Sequence, residues 1–355
     1  MLILHIVRDL IEGPTPLHVI EKPAPGTGAS LLAELPALLV SAGAGSAMTE
    51  GRDEDEWRKR ITSKLITGAA MVLLDNLRQR LDSAAVASAL TALIWEDRML
   101  GKSEMVRVPV RCTWIATGNN PSLSNEMVRR SVRIRLDAKV DRPWLRNVAS
   151  FRHPDLREWA RRNRDELIWS ALVLGQAWLS RGRPAAEVRP LGMYECWSKV
   201  MAGILATADI PGFLTNLEEF YETTDPEEGE IRAFVAVWWE KHRDAEVTSA
   251  QLFEIALSPG ITLDIDAKTE QGRKVRFGRL LSDLRDRRYP IGEGIMAKVA
   301  PAGTYRRAAR WRLVPCESVS LGESFSSART RAHEDITEVE ETHTDSQTHL
   351  EELWL

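Results

Sequence analysis

The sequence predicts an α/β protein with a parallel sheet, followed by a helical region and by a small basic unit of helices and a hairpin. Three observations support this prediction. Short apolar runs typical of buried strands alternate with helical segments over residues 1–140. Apolar residues recur at helical spacing through residues 141–224. Residues 225–315 combine three helical segments, two strand-like runs and a concentration of arginines, and residues 316–355 form an acidic tail.

The composition of the 355-residue chain excludes several classes of protein. With 44% apolar and 28% charged residues it has the balance of a globular protein, and its length allows two or three domains. The chain has no run of about 18 apolar residues and no signal-peptide pattern at its start, so we expect no membrane span and no cleaved leader. Three widely spaced cysteines form no metal pattern and favour a reducing compartment, with the cytoplasm as the default.

Charge is distributed unevenly along the chain. Residues 316–355 carry ten acidic and two basic residues, a net charge of −8, whereas the whole chain carries −4. The 45 basic and 41 acidic residues of positions 1–315 therefore leave a net charge of +4. A basic body with an acidic tail fits a nucleic-acid partner. The tail is rich in serine, threonine and glutamate, so we expect it to be disordered.

A glycine-rich turn follows the first predicted strand, at residues 17–20, and leads into a helix. Strand, glycine-rich turn and helix are the context of a phosphate-binding loop. Gly26 and Gly28 allow the backbone N–H groups to turn inward, and the helix N-terminus adds positive potential. Ser30 occupies the position of a magnesium-binding hydroxyl. The loop residues predicted to bind a nucleotide are Pro25, Gly26, Thr27, Gly28, Ala29, Ser30 and Leu31.

Two positions depart from the G-x-x-x-x-G-K-[ST] pattern, because Pro23 replaces the first glycine and Ala29 replaces the lysine. Losing one preorganised stabilising group costs roughly 2.7–4 kcal/mol in a transition state. Three interpretations stay open. The loop binds a nucleotide without hydrolysing it, another cation substitutes, with Lys22 and Lys59 as candidates, or the loop is only structural.

Polar residues follow further predicted strands. Asp75 and Asn76 end the strand at residues 70–76, and Asn119 and Asn120 follow the strand at 111–117. Residues 83–95 are predicted as a helix, and residues 106–110 as another strand. The pair Arg129-Arg130 precedes a strand at 132–137. We expect all these polar groups at one edge of a parallel sheet, although turns and a solvated helix end are the alternatives.

This order of motifs resembles the AAA+ ATPases, and more closely the ATPase/helicase domains attached to primases in phages, plasmids and integrated bacterial elements. The resemblance covers roughly residues 15–315. It rests on the glycine-rich loop, on Leu74-Asp75-Asn76, on residues 95–101, on residues 116–120, on Arg129-Arg130, and on residues 151–156 and 210–214.

The resemblance implies an ATP- and Mg²⁺-dependent enzyme, with Ser30 and Asp75 at the metal. Asn119 or Asn120 would position the attacking water, and Arg129 or Arg130 would reach the site of a neighbouring subunit in a homo-oligomer. Such a protein would act on DNA in replication, as a helicase or an initiator, with a primase or another replication protein as a partner. That primase would either lie ahead of Met1 in a longer chain or be a separate protein.

Two residues expected for ATP hydrolysis in this family are replaced in this chain. Active ATPases often carry a glutamate where this chain has Asn76, and the lysine is absent. The alternative function is therefore a DNA-binding scaffold with a degenerate nucleotide site that does not hydrolyse the nucleotide. A transcription regulator is a third interpretation, supported by charge alone.

The C-terminal part of the body has a winged-helix pattern. It consists of a helix at 231–241, a capped helix from Thr248, a helix at 274–288 and a hairpin about Gly303-Thr304. Residues 273–312 carry twelve basic and three acidic residues, which suits a helix in the major groove and a wing on the backbone. A solubilising basic surface is the alternative. The predicted DNA-binding residues are Arg276, Arg279, Arg285, Arg288, Arg306 and Arg307.

Taken together, the predicted domains are a nucleotide-binding core (1–140), a helical lid or bundle (141–224), a winged-helix-like domain (225–315) and the tail (316–355).

Overall fold

The computed structural model describes residues 1–41, 47–99, 104–224, 226–292, 295–305 and 308–317. These residues belong to two compact units, Met1–Pro226 and a second unit that begins at Glu227. None of the helices in these ranges is long and apolar enough to cross a membrane.

The first unit alternates strands and helices over most of its length. In chain order its elements are α1 (Leu4–Val7), β1 (Leu17–Lys22), α2 (Ala29–Ser41), β2 (Ala47–Met48), α3 (Glu54–Ile66), β3 (Met71–Leu77), α4 (Ala84–Thr91), β4 (Ile94–Arg98), β5 (Met105–Pro109), β6 (Thr113–Asn119), α5 (Asn125–Val128), β7 (Ser131–Arg135), α6 (Leu156–Arg162), α7 (Arg164–Ser180), α8 (Glu195–Thr207) and α9 (Leu217–Thr224).

Five of these strands form one parallel sheet in the order β2-β3-β6-β1-β7. The predicted α/β class with a parallel sheet is confirmed. The central strands are buried on both faces, as parallel strands usually are, with Val19, Val72 and Ile115 fully enclosed. Because β1, β6 and β3 are neighbours, the loops that follow them meet at the carboxyl edge of the sheet.

One predicted element in this unit is wrong in part. The helix predicted at residues 83–95 ends at Thr91, and residues Ile94–Arg98 form β4 instead. The alternation of exposed and buried side chains along β4 explains the difference, because that period is the strand period. The strand predicted at 106–110 is confirmed as β5, which pairs antiparallel with β4 in a separate two-stranded sheet.

The helices after the sheet pack on the same core. Trp178, Tyr194 and Trp197 belong to one hydrophobic cluster with Val19 and Trp114 of the sheet. The segments 1–140 and 141–224 consequently form a single compact unit. Within the predicted helical region 141–224 the first α-helix begins only at Leu156, since two short 3₁₀ turns, Pro143–Leu145 and Val148–Ser150, precede it.

The second unit packs three helices on an antiparallel sheet of order β8-β11-β10-β9. Its elements are α10 (Pro226–His242), β8 (Val247–Thr248), α11 (Ser249–Ala256), α12 (Glu270–Asp283), β9 (Arg288–Gly292), β10 (Ile295–Tyr305) and β11 (Ala308–Glu317). Phe234, Phe253 and Phe277 form its centre, with ring centroids 5.5–5.7 Å apart. Thr248 caps α11 with a capping box, as the sequence predicts.

Two boundaries in the second unit differ from the prediction. The helix predicted to reach Arg288 ends at Asp283, because Leu284 caps it and the buried Tyr289 lies in β9. Arg285 and Arg288 therefore lie beyond the helix. The hairpin does not turn at Gly303-Thr304, since β10 continues to Tyr305.

Candidate functional site

The carboxyl edge of the parallel sheet brings together three side chains from α2, β3 and β6. One carboxylate oxygen of Asp75, Oδ1, accepts hydrogen bonds from the hydroxyls of Ser30 (2.9 Å) and Thr117 (2.7 Å). The Thr117 hydroxyl in turn accepts the backbone N–H of Asn76 at 2.9 Å. Thr117 is fully buried. This role of Thr117 was not predicted from the sequence, in which its only signal is a threonine near the end of an apolar strand.

The glycine-rich loop adopts the backbone conformation that the sequence predicts for it. Gly26 and Gly28 have φ angles of 75° and 110°, in the region that glycine occupies without strain. The Thr27 hydroxyl donates to the Ala24 carbonyl oxygen at 2.7 Å, which closes the turn. Helix α2 starts directly after Gly28, so its unpaired N–H groups and positive end face the loop region.

The methyl group of Ala29 is almost completely buried, with 1% of the residue exposed. It packs in a cluster with Ile20, Ala33 and Ile115 on the face of the sheet that α2 covers. The position that carries the lysine in the pattern therefore contributes to the core here and supplies no cation.

The two lysines that could replace it have different surroundings. Lys22 ends β1 and is 7% exposed, and burial lowers the pKa of its ammonium group while the charge of Asp75 opposes that shift. Lys22 consequently lies in the electrostatic field of the Asp75 cluster. Lys59 lies on the exposed side of α3, a helix that packs on α4 and β4.

Both asparagines after β6 lie at this same edge. Asn119 is the register partner of Lys22, and the N–H of Asn120 donates to the Lys22 carbonyl oxygen at 3.0 Å. Asn120 and Asn76 have positive φ angles, 42° and 61°, which asparagine adopts more readily than most residues. β3 and β6 thus each have an exposed asparagine with a left-handed backbone near their carboxyl ends, Asn76 in β3 and Asn120 directly after β6.

The arginine pair does not share this edge, so that expectation is wrong. Arg129 and Arg130 precede β7, and the Arg130 carbonyl oxygen accepts the N–H of Leu17 at the start of β1 (2.9 Å). They therefore lie at the amino edge, roughly 20 Å of strand from the loop after β1. Arg130 is 7% exposed and forms an ion pair with Glu126 at 3.0 Å, whereas 63% of the Arg129 side chain is exposed.

A segment remote in sequence covers the outside of the glycine-rich loop. Arg146 Nη2 donates to the carbonyl oxygens of Gly26 and Thr27, both at 3.2 Å. A Cβ atom on Gly26 would lie 2.8 Å from the backbone nitrogen of Trp144. No feature of the sequence predicted these contacts, because the segment lacks a motif or a periodic pattern.

The donor set at Asp75 fits a magnesium ion shared with phosphate groups. Among the described residues no three His, Cys, Asp or Glu side chains cluster as a metal site. Mg²⁺ does not need such a cluster, since it keeps several waters and binds through one or two carboxylates plus phosphate oxygens. The Ser30 hydroxyl and the Asp75 carboxylate, hydrogen-bonded to each other, match that requirement.

The predicted DNA-binding arginines of the second unit are exposed where the structure describes them. Arg276 donates to the Asp266 carbonyl oxygen, and Arg285 pairs with Asp286 at 3.5 Å. No carboxylate in the described ranges lies within ion-pair distance of Arg279 or Arg288, which leaves both guanidinium groups available. Arg306 and Arg307 lie outside the described residues.

Comparison with known proteins adds no assignment: no family model matches the sequence, and no curated protein is similar to it.

Proposed function

We propose that this chain is an AAA+ type P-loop ATPase that binds Mg²⁺ and ATP at the carboxyl edge of its parallel sheet and acts on DNA. One observation carries the proposal. Ser30, Asp75 and Thr117 form a hydrogen-bonded cluster at the N-terminus of α2, beside a loop whose two glycines have positive φ angles. Binding of a Mg²⁺–triphosphate requires a hydroxyl and a carboxylate near the metal, and a glycine loop and a helix N-terminus near the phosphates.

Each residue at this edge has a role in the proposal. Backbone N–H groups from Gly26 to Ser30 bind the phosphates, and Pro25 and Leu31 flank them. The Ser30 hydroxyl would hold the metal, and Asp75, which accepts the hydrogen bond of that hydroxyl, would orient it. Mg²⁺, when bound, neutralises charge on the transferring phosphoryl group. Asn119 or Asn120 holds the attacking water, since both are exposed at the end of β6.

Arg129 acts in a neighbouring subunit. Its side chain is exposed and lies at the opposite edge of the sheet from its own glycine-rich loop, so it can serve only another copy of the chain. An arginine supplied in trans is worth about 10³–10⁵ in rate in related chemistry. Arg130 keeps a structural role, because it is buried against Glu126. The proposal therefore includes a homo-oligomer.

The second unit supplies DNA binding, in the manner of a winged helix, through exposed arginines at α12 and β9. Two features favour a replication helicase or initiator of a mobile element. One is the combination of a nucleotide site and a DNA site in the same chain, and the other is the resemblance in the order of the motifs. Such a protein works in the cytoplasm, and a primase is a fitting partner.

A second candidate function has its own support. Ala29 is buried in the core and Asn76 offers no carboxylate to polarise water, so the site lacks two groups that speed hydrolysis. The chain would then be a DNA-binding scaffold that binds a nucleotide without turning it over.

ATP turnover and strand separation by the full chain separate the two functions. We expect hydrolysis stimulated by single-stranded DNA, lost in Asp75→Asn and kept in Asp82→Asn, an exposed aspartate just beyond the same strand. ATP-dependent separation of a partial duplex would support a helicase. ATP binding without any turnover, with or without DNA, would favour the scaffold.

A further inference from the structure

We propose that Arg146 is a positioning residue that holds the glycine-rich loop from outside as an anion-binding cradle. The inference rests on the proposed nucleotide site and deepens it, by assigning how a loop without its lysine keeps its N–H groups in place.

The first step is the direction of the peptide groups. Arg146 Nη2 donates to the carbonyl oxygens of Gly26 and Thr27, each at 3.2 Å. In a trans peptide the C=O and N–H groups point in opposite directions. Holding these two carbonyls on the outside therefore directs the N–H groups of Thr27 and Gly28 to the opposite side of the loop.

The second step is that Arg146 is itself fixed. Its Nε donates to the Pro143 carbonyl oxygen at 3.1 Å, and its guanidinium carbon lies 4.9 Å from the centroid of the Phe151 ring. The guanidinium plane is thus held by a carbonyl and an aromatic ring before any ligand arrives. Preorganised donors lose less entropy when they act than mobile ones.

The third step is that Arg146 is not engaged by a carboxylate. Other arginines of the same region have partners within 4 Å: Arg142 pairs with Asp141, Arg157 with Glu34, and Arg162 with Glu158. Arg146 has no such partner among the described residues, and its full charge is directed at the loop. A cation on the carbonyl side polarises both peptide groups, which makes the N–H groups on the far side stronger donors to an anion.

The backbone of Trp144 presses on the same side of the loop. Because a Cβ on Gly26 would come within 2.8–2.9 Å of Trp144 backbone and Cβ atoms, the two segments are in close contact there. Two independent contacts thus place the segment behind the loop. Arg146 consequently does not replace the missing lysine as a phosphate ligand; it fixes the geometry of the backbone that binds the phosphates.

Binding of ATP, AMP and inorganic triphosphate to the full chain tests this role in Arg146→Met, which keeps the length of the side chain but donates no hydrogen bond. We expect ATP and triphosphate to bind about tenfold more weakly, as expected for losing hydrogen bonds to a charged group. AMP binding should change less than twofold, because a single phosphate uses fewer of the loop N–H groups. Arg146→Lys should recover part of the loss, and Arg142→Met should bind like the unchanged chain.

Three outcomes would overturn the inference. Equal weakening of ATP and AMP in Arg146→Met, together with a lower thermal unfolding midpoint, would mean that Arg146 only stabilises the fold. Unchanged triphosphate binding in Arg146→Met would remove its role while leaving the nucleotide site intact. Absence of any triphosphate binding to the unchanged chain would remove both claims. Triphosphate binding that depends on Arg146, without ATP hydrolysis, would keep the inference and reject the ATPase.

Discussion

At the scale of single residues, the site depends on one hydroxyl that the sequence did not single out. Thr117 donates to Asp75 and accepts from the Asn76 N–H, so it fixes both the carboxylate and the turn that follows it. We predict that Thr117→Val reduces ATP turnover at least tenfold and lowers the free energy of unfolding by about 1–3 kcal/mol. Urea unfolding and a turnover assay measure the two effects.

Thr113, at the start of the same strand, provides a matched control. It is equally buried, yet its hydroxyl has no hydrogen-bond partner in the described structure. Thr113→Val should therefore be neutral or stabilising, since it removes an unsatisfied buried group. Equal losses in the two variants would contradict the role of Thr117.

Gly26 is the residue whose substitution the loop tolerates least. Its φ angle is 75° and an added Cβ would contact Trp144, whereas Gly13 has a φ angle of 104° and open space around it. Gly13→Ala should cost only backbone strain, about 1–2 kcal/mol. Gly26→Ala should cost more and should also weaken ATP binding. A smaller loss of stability in Gly26→Ala than in Gly13→Ala would refute the close contact.

At the scale of elements, the two arginines that follow α5 differ in burial: Arg130 is buried, whereas Arg129 is exposed. We predict that Arg130→Ala lowers stability by about 1–2 kcal/mol, less than for a fully buried pair because Glu126 is half exposed. Arg129→Ala should leave stability unchanged and abolish turnover. Thermal unfolding of both variants, beside their turnover, checks this division.

A mixing experiment tests whether Arg129 acts between subunits. Asp75→Asn keeps Arg129 but lacks a working site, and Arg129→Ala has the reverse defect. Mixed together, the two inactive proteins should recover part of the turnover, since some interfaces then combine an intact site with an intact arginine. No recovery in mixtures of stably folded variants would show that Arg129 does not act in trans.

The central strands β1, β3 and β6 could be predicted because each contains a continuous apolar run followed by polar residues, as at residues 17–22 and 71–77. The two-residue strand β2 contains no such run and was not predicted. The β4–β5 hairpin was missed in part, because the alternation along Ile94–Arg98 follows directly on the helical pattern of α4. The edge at which Arg130 lies could not be predicted, since it depends on the pairing of β7 with β1.

At the scale of the whole molecule, DNA affinity should depend on salt through the second unit. Arg279 and Arg288 have no carboxylate partner among the described residues, so each is available to a phosphate. We predict that Arg279→Ala and Arg288→Ala each weaken duplex binding and reduce the slope of log K against log salt by about 0.9. Fluorescence anisotropy at several salt concentrations measures the slope.

Arg310 is the control for this measurement, because it already pairs with Glu246 at 2.6 Å. Its substitution by alanine should change the slope little. A slope that stays the same in all three variants would mean that the basic surface of this unit only solubilises the protein.

The contacts that complete the nucleotide site are long-range, which is why the sequence alone could not predict them. Arg146 lies about 120 positions from the loop that it holds, and Thr117 is 42 positions from Asp75. Local patterns locate the glycine-rich loop and the acidic strand end, whereas only the folded sheet shows which distant side chains orient them.

Calorimetric titration of ATP into the full chain, with and without Mg²⁺, tests the central claim most directly. We predict saturable binding of one nucleotide per chain that needs Mg²⁺ and is weakened at least tenfold in Asp75→Asn, because that carboxylate orients the Ser30 hydroxyl. Binding that is indifferent to Mg²⁺ and to Asp75→Asn, or no binding at millimolar ATP, would show that the carboxyl edge of this sheet is not a nucleotide site.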